Sequence, residues 1–248
     1  MDKLNNVLKA NDIFNIHIFG LNIPISDSII VMWIISVFLI IFAFVITRNL
    51  KTIPEGKQNF AEVLVEFINN FIKDNIGHHW RSFAPYLGTI FLFLIVANII
   101  SIFSIIPTGE ELYKITGLEF FEHWPEFAIQ PPTKDINVTA TMGLMTVLLV
   151  LGSSIRFKNV FGWLKGLAKP SPIMIPFNIL DYGTRFLSLS LRLFGNILAA
   201  FIVMELIYGL ISPVVPAFLS LYFDLFDGIL QAYIFVFLSS VYIAEAVE

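Results

Sequence analysis

The sequence has no cysteine among its 248 residues, and this absence excludes disulfides, iron–sulfur clusters and thiolate metal sites. Charged residues are also scarce, at 14% of the chain. The four histidines, His17, His78, His79 and His123, all lie outside the long apolar runs. These runs therefore hold no pair of axial ligands for an intramembrane haem, which excludes a cytochrome-like respiratory subunit.

Long apolar runs dominate what is present. Hydrophobic residues make up 57% of the chain and the mean hydropathy is +0.81, a composition that cannot supply the polar surface of a soluble domain. Residues 29–46 contain only Ser36 as a polar side chain, and residues 87–106 contain only Thr89, Asn98 and two serines. At about 1.5 Å per residue, each run crosses a hydrocarbon core of about 30 Å. We interpret the first run as a retained span rather than a cleaved signal.

The distribution of Lys and Arg predicts the orientation of the chain. Basic residues follow the first and third spans, whereas the loop between the second and third spans is rich in glutamate. Because basic loops stay in the cytoplasm, the N-terminus is expected outside and the C-terminus in the cytoplasm. A single membrane domain, 1–248, is predicted with these parts: an outer N-terminal segment (1–28), span 1 (29–47), an amphipathic helix on the cytoplasmic surface (57–77), span 2 (86–106), an acidic outer loop (107–136), span 3 (137–155), a basic cytoplasmic loop (156–172) and a helical hairpin (173–211 and 214–247).

The amphipathic helix is predicted from periodicity. Apolar residues recur at three- and four-residue spacing from Phe60 to Ile72, and charged and amide side chains take the other face. This pattern is typical of a helix that lies on the membrane surface. The same face also suits a helix packed on a partner protein, and the sequence leaves that alternative open.

The last third of the chain predicts two unusually long helices. A helix over residues 173–211 is about 58 Å long, nearly twice the hydrocarbon thickness. Gly195 and Gly228 are isolated and divide neither segment, so we expect two steeply inclined helices joined near Pro213. The predicted fold class is all-α integral membrane, with three upright transmembrane helices, one amphipathic surface helix and a long, strongly inclined C-terminal helical hairpin.

Each of these long helices carries polar residues along one face when 100° is turned per residue. We define the first polar stripe as Asp181, Arg185, Ser188, Arg192 and Asn196. We define the second polar stripe as Asp224, Asp227, Gln231, Tyr242 and Glu245. Two apolar helices that each carry one polar stripe are expected to turn those stripes toward each other or toward a partner.

Arg192 is the residue of greatest interest in these stripes. An arginine deep in a span costs about 2.5 to 3.5 kcal/mol on insertion scales, and it stays charged because a guanidinium is not deprotonated in proteins. It is therefore a permanent positive charge that serves electrostatics and cannot carry a proton. An ion pair with Asp181 or another carboxylate is the structural alternative. An intramembrane charge is a functional candidate by default, and we favour function for Arg192.

Three separated segments carry a family resemblance. Residues 188–196 read SLSLRLFGN, residues 135–139 read DINVT, and residues 230–235 read LQAYIF. In this order they resemble subunit a of the bacterial F-type ATP synthase, and with segment order the resemblance covers the chain from about residue 28. The resemblance implies a stator that stands beside a ring of c subunits, each bearing an ion-binding carboxylate. Two offset half-channels reach that ring, and Arg192 fills the position of the essential arginine between them.

The resemblance also implies the setting of the protein. The chain is expected to be a non-enzymatic subunit of an ion-translocating ATP synthase, in a bacterial inner membrane, with no cofactor and no metal. Its expected partners are the c-ring, the b subunits of the peripheral stalk, lipid, and a translocated proton or sodium ion. No nucleic-acid partner is expected. Asn196 and Gln231 match motif positions and are expected to line the interface with the ring.

The outer half-channel departs from the family pattern. Members often carry Glu or His nine residues after the arginine, and here that residue is Phe201. Glu205 follows one turn later, and Asp224 takes a position where the family commonly has a titratable group. We hypothesise that Glu205 and Asp224, with Asp227, conduct ions inward. For Glu205, an interface carboxylate at the membrane edge is the structural alternative.

The inner half-channel is expected to open at the other end of the stripes. Ser188, Arg185 and Asp181 lie there on the first long helix, with Tyr242 and Glu245 opposite on the second. Residues near a helix end are often simply solvated. For Arg185 in particular, a structural role is about as well supported as a role in the ion path.

Two other classes of membrane protein fit the sequence less well. A secondary transporter with a midplane site usually shows internal repeats and Gly/Pro-interrupted spans, and the sequence has neither. A purely structural anchor does not explain two aligned polar stripes in the bilayer. An enzyme acting alone is disfavoured, because the sequence has no phosphate-binding glycine-rich loop, metal cluster or nucleophile–base set.

Overall fold

The computed structural model describes residues 12–18, 21–48, 50–100, 131–168, 171–210, 219 and 222–247. Most of the predicted acidic loop and the predicted turn near Pro213 lie outside these residues. Two strands and six long helices are described: β1 Asp12–Ile18, β2 Leu21–Ser26, α1 Asp27–Thr47, α2 Lys57–Ile76, α3 Trp80–Ile99, α4 Ile136–Leu167, α5 Ile175–Leu210 and α6 Gly228–Val247.

The helical membrane architecture is confirmed. Five helical stretches among the described residues are long and apolar enough to cross a membrane. The chain is therefore a multi-pass membrane protein. Before the first span, β1 and β2 add an antiparallel hairpin that the predicted all-α class does not contain, with Ile16 opposite Ile23 and His17 opposite Asn22. The alternation of apolar and polar residues in this segment has the period of a strand, not of a helix.

The chain turns back between α2 and α3. Gly77 has a φ of 69°, a backbone conformation that side-chain-bearing residues rarely adopt. A Cβ placed on Gly88 would lie 3.4 Å from Cγ2 of Ile68. In one straight helix those residues would be about 30 Å apart, so α2 folds back along α3.

This packing places the apolar face of α2 against the chain itself. Ile68, Ile72 and Ile76 are buried, and the ring of Phe71 lies 4.9 Å from the ring of Tyr233 on α6. These buried residues of the predicted apolar face are covered by α3 and α6. Phe60 and Phe67, on the same predicted face, are exposed, so the alternative that this face packs on a partner protein stays open.

Helix α4 extends beyond the predicted third span. It continues to Leu167, so most of the stretch predicted as a basic cytoplasmic loop (156–172) is helical. The helix bends at Asn159, which has a φ of 60° and a ψ of 161°. The basic residues that predicted a loop do not prevent a helix, because Lys and Arg are good helix formers.

The core lies where α6 packs against α3 and α4, and where α4 packs along α5. Gly143 permits the close contact of α4 with α5, because a Cβ there would overlap Oγ of Ser190. By contrast, α1 is peripheral, with Ser28 and Ile35 as its buried residues. The largest fully buried apolar side chains are Ile35, Ile72, Leu87, Leu94, Val150, Leu189, Leu193, Phe235, Val236 and Ile243.

A π-helical turn, Tyr222–Asp227, precedes α6. The 100° step used to align Asp224 and Asp227 with Gln231 therefore does not apply before Gly228, since a π-helix is wound more widely than an α-helix. Single π-helical turns inside helices occur frequently at functional sites.

Candidate functional site

Arg192 lies on an exposed part of α5. Within the described part of the chain it forms no ion pair and no hydrogen bond. Asp181 does not neutralise Arg192, because it pairs with Arg185 instead. Asp181 is also eleven residues from Arg192, about 16 Å along the helix. The charge of Arg192 is thus without a counter-ion among the described residues.

The surface beside Arg192 is built from small side chains. Thr184, Gly195 and Ala199 are exposed on the same side of α5, and Ser188 is half-buried among them. Small residues let another helix approach closely within a membrane. The surface around the arginine therefore leaves room for the close approach of another helix.

The two polar stripes meet on one side of Arg192. Asn196 Nδ2 donates to Asp227 Oδ2 over 2.5 Å and lies 3.5 Å from Gln231 Oε1. Gln231 is only 3% exposed, and its Nε2 has no hydrogen-bond partner among the described atoms. This amide donor is therefore buried and unsatisfied, which costs free energy unless water, an ion or another chain reaches it.

On the other side of Arg192, the stripes meet again at Arg185. Its guanidinium bonds Oδ2 of Asp181 over 2.7 Å and Oε2 of Glu245, on α6, over 2.8 Å. The same group lies 4.8 Å from the ring centre of Tyr242 and 5.9 Å from that of Tyr182. We name these five residues the clasp, because they join α5 to α6.

A polar cavity of about 260 Å³ opens beside the clasp. It lies where α4 ends, α5 begins and α6 ends. Its walls combine two basic and two acidic side chains with neutral polar groups, a lining that suits water. The polar lining residues are Ser154, Lys158, Asn178, Asp181, Tyr182, Arg185 and Glu245.

Several predicted residues are brought together by the structure. Asp181, Arg185, Tyr242 and Glu245 meet at the clasp, and Asn196, Asp227 and Gln231 meet on the other side of Arg192. The backbones of Glu205 and Asp224 lie in α5 and in the π-helical turn. Their side chains, like that of Phe201, are outside the described part of the structure.

Other polar residues at the site were not predicted. Lys158 Nζ lies 3.5 Å from the backbone oxygen of Glu245, and Trp163 Nε1 donates to the Tyr182 hydroxyl over 3.3 Å. Lys158 and Trp163 lie in the stretch predicted as a basic loop, and the sequence gives no sign that this stretch lines the site. Asn98 was seen only as a polar interruption of span 2, yet it is buried and bonded to α6. Its amide in an apolar run was the signal that could have identified it.

Among the residues whose positions are described, no group of three or more His, Asp and Glu side chains is placed to hold a metal ion.

Comparison with known proteins places these features in a family. Residues 29–244 match the family described as ATP synthase A chain. The chain is also 34% identical over 224 residues to the ATP synthase subunit a, sodium ion specific, of Propionigenium modestum. That alignment covers 90% of this chain and 75% of the relative.

Proposed function

The chain belongs to the ATP synthase A chain family, and from this premise we propose how it translocates ions beside the c-ring of a rotary F-type ATP synthase. Arg192 faces the ring between two offset half-channels. It forces each ring carboxylate to release its ion and blocks direct leakage. The chain is not an enzyme on its own but a subunit of the translocating complex.

The observation that carries this proposal is the exposed charge of Arg192, without a counter-ion among the described residues. Such a charge is costly next to lipid. A carboxylate on a neighbouring helix offsets that cost, and the small residues Gly195 and Ala199 let that helix come close. The ring carboxylate is the partner whose chemistry fits both features.

Electrostatics then explains the direction of ion exchange. A positive charge within about 4 to 6 Å favours the anionic form of a carboxylate. Each ring carboxylate therefore releases its proton or sodium ion before it passes Arg192. The same charge repels any cation that moves straight from one half-channel to the other. Because an arginine does not deprotonate in proteins, the barrier persists at every working pH.

The inner half-channel is assigned to the cavity beside the clasp. Ser188 lies on α5 between Arg185 and Arg192, so it continues the polar path from the cavity toward the ring. Glu245 and Tyr242 supply the wall on α6. In this orientation the N-terminus is outside and the C-terminus is in the cytoplasm of a bacterial cell, with the b subunits of the peripheral stalk as further partners.

The outer half-channel is assigned to the region of Asn196, Asp227 and Gln231. The buried, unsatisfied Nε2 of Gln231 and the carboxylate of Asp227 are groups that a hydrated path satisfies. Glu205 and Asp224 extend this path toward the outer surface. Helix α5 has 36 residues and is about 54 Å long, so an inclined hairpin suits it better than an upright span.

Disulfide cross-linking within the assembled complex tests the placement of the ring. The chain has no cysteine of its own, so the background is clean. Ala199→Cys is expected to cross-link to a cysteine placed one helical turn from the ring carboxylate. Phe44→Cys, on the lipid-exposed face of α1, is the matched control and is expected not to do so. An assembled complex in which Ala199→Cys forms no cross-link contradicts the proposal.

A further inference from the structure

Asn98 on α3 connects three parts of the chain that are distant in sequence. Its side chain is buried, at 4% exposure. Nδ2 donates to the backbone oxygen of Gly228 over 2.9 Å, and Oδ1 accepts from the hydroxyl of Thr133 over 3.1 Å. Both ends of the amide are thus engaged, one with the start of α6 and one with the turn before α4.

The contact falls at the junction of two kinds of helix. Gly228 is the first residue of α6, and Asp227, the last residue of the π-helical turn, is its neighbour. A Cβ added to Gly228 would lie 2.8 Å from the Cβ of Asn98. The side chain of Asn98 therefore rests directly on the backbone at this junction, and no larger residue than glycine fits there without displacement.

The junction sets where Asp227 points. A π-helical turn is rare and interrupts the regular α-helical ladder, so a contact from outside at its end helps to fix its geometry. Asn98 supplies that support through one hydrogen bond, and Thr133 orients the amide that makes it. Asp227 then meets Asn196 across the hairpin.

We propose that Asn98 is a positioning residue for ion translocation, which acts through Gly228 to hold Asp227 opposite Asn196. This inference rests on the proposed function, because it takes Asp227 as part of the outer ion path. Asn98 acts on the ion through Asp227. A misplacement of a reacting or binding group by about 1 Å is enough to lower a rate by about a hundredfold, so the loss of this support has a measurable effect.

A double-mutant cycle in the complete, reconstituted ATP synthase tests the proposal. Asn98→Leu keeps a side chain of similar size and removes the hydrogen bonds to Gly228 and Thr133. Asp227→Asn removes the carboxylate. Each single variant is expected to slow ion-driven ATP synthesis by about tenfold or more. The rate of the double variant is expected to lie within about twofold of the rate of Asp227→Asn. The effects of two substitutions are not additive when the two residues act as one unit.

The dependence on the outer cation separates positioning from a general structural role. The rate of ATP synthesis is measured while the outer NaCl concentration is varied at fixed pH, and again while the outer pH is varied at fixed NaCl. In Asn98→Leu, the half-saturating concentration of the coupling cation is expected to rise about tenfold, with a smaller change in the maximal rate. Loss of assembled complex alone lowers the maximal rate and leaves the half-saturating concentration unchanged, and that result overturns the proposal.

Two further variants keep the test decisive. Thr133→Val removes the hydroxyl that orients Asn98 at nearly constant volume, and it replaces Asn98→Leu in the cycle if the latter does not assemble. Thr89→Val, on α3, removes a hydroxyl bonded to its own helix and is the control expected to leave coupling unchanged. If the losses of the two single variants add in the double variant, Asn98 does not act through Asp227. That result overturns the positioning role and leaves the outer-path assignment standing. Normal coupling in Asp227→Asn overturns the outer-path assignment and this inference together.

Discussion

Asn196 on α5 donates its side-chain amide to the carboxylate of Asp227 across the C-terminal hairpin, over 2.5 Å. The bond lies one helical turn beyond Arg192. A hydrogen bond to a charged acceptor is stronger than a neutral one, so it holds α5 and α6 together at the level where the outer path is proposed to reach the ring. The clasp at Arg185 joins the same helices on the other side of Arg192. Arg192 itself stays exposed between the two contacts.

The outer path predicts a loss of function from two neutral substitutions. Glu205→Gln together with Asp224→Asn is expected to lower ATP synthesis driven by a cation gradient at least about tenfold, because a path without fixed carboxylates attracts and transfers cations poorly. ATP synthesis is measured in vesicles with the complete complex, and Glu55→Gln, far along the chain in an exposed ion pair, is the control. Unchanged synthesis in the double variant contradicts the assignment of these carboxylates.

The clasp predicts a modest stabilisation of the hairpin. The side chain of Arg185 is 13% exposed, but those of Asp181 and Glu245 are 50% and 64% exposed, so solvent screens both pairs. Arg185→Gln is expected to destabilise the chain by about 1 kcal/mol, seen as a lower melting temperature in detergent.

Lys51→Gln is the matched control for the clasp. The pair of Lys51 with Glu55 has the same 2.8 Å separation, with side chains 68% and 71% exposed. This change is expected to cost less than about 0.5 kcal/mol. Equal effects of the two substitutions would show that the clasp is no more than a surface ion pair.

The contact of α4 with α5 predicts opposite effects of one substitution at two glycines. Gly143→Ala places a Cβ into Oγ of Ser190 and 3.3 Å from the backbone oxygen of Phe186, so it is expected to destabilise the chain by about 1 to 3 kcal/mol. Gly152→Ala, on the same helix, meets nothing within 4 Å and is expected to stabilise it by up to about 1 kcal/mol. Melting temperatures of the two variants check this order, and a reversed order contradicts the packing described.

Periodicity predicted the local features and missed the long-range ones. A turn of 100° per residue predicted the helix faces of Arg185, Asn196 and Gln231 correctly, because each residue lies in a regular α-helix. It does not apply at Asp224, where the chain forms a π-helical turn. Hydropathy alone does not reveal such a turn.

Contacts between distant segments were also beyond the sequence. The bond from Asn98 to Gly228 joins residues 130 positions apart, and one sequence carries no record of which distant residues meet. The bend at Asn159 was missed because a basic, glycine-containing stretch has the composition of a loop. The clasp is the exception, because most of its residues lie on the two polar stripes that were predicted to face each other or a partner, and Arg185 does pair with Glu245.

ATP synthesis by reconstituted complexes with Arg192→Gln is the most direct measurement of the central claim. The variant keeps a polar side chain of similar length and removes the fixed charge. The complex is expected to assemble, and synthesis under an imposed cation gradient is expected to fall at least about a hundredfold, which corresponds to about 2.7 kcal/mol. Synthesis at the normal rate in an assembled Arg192→Gln complex would contradict the role of this charge.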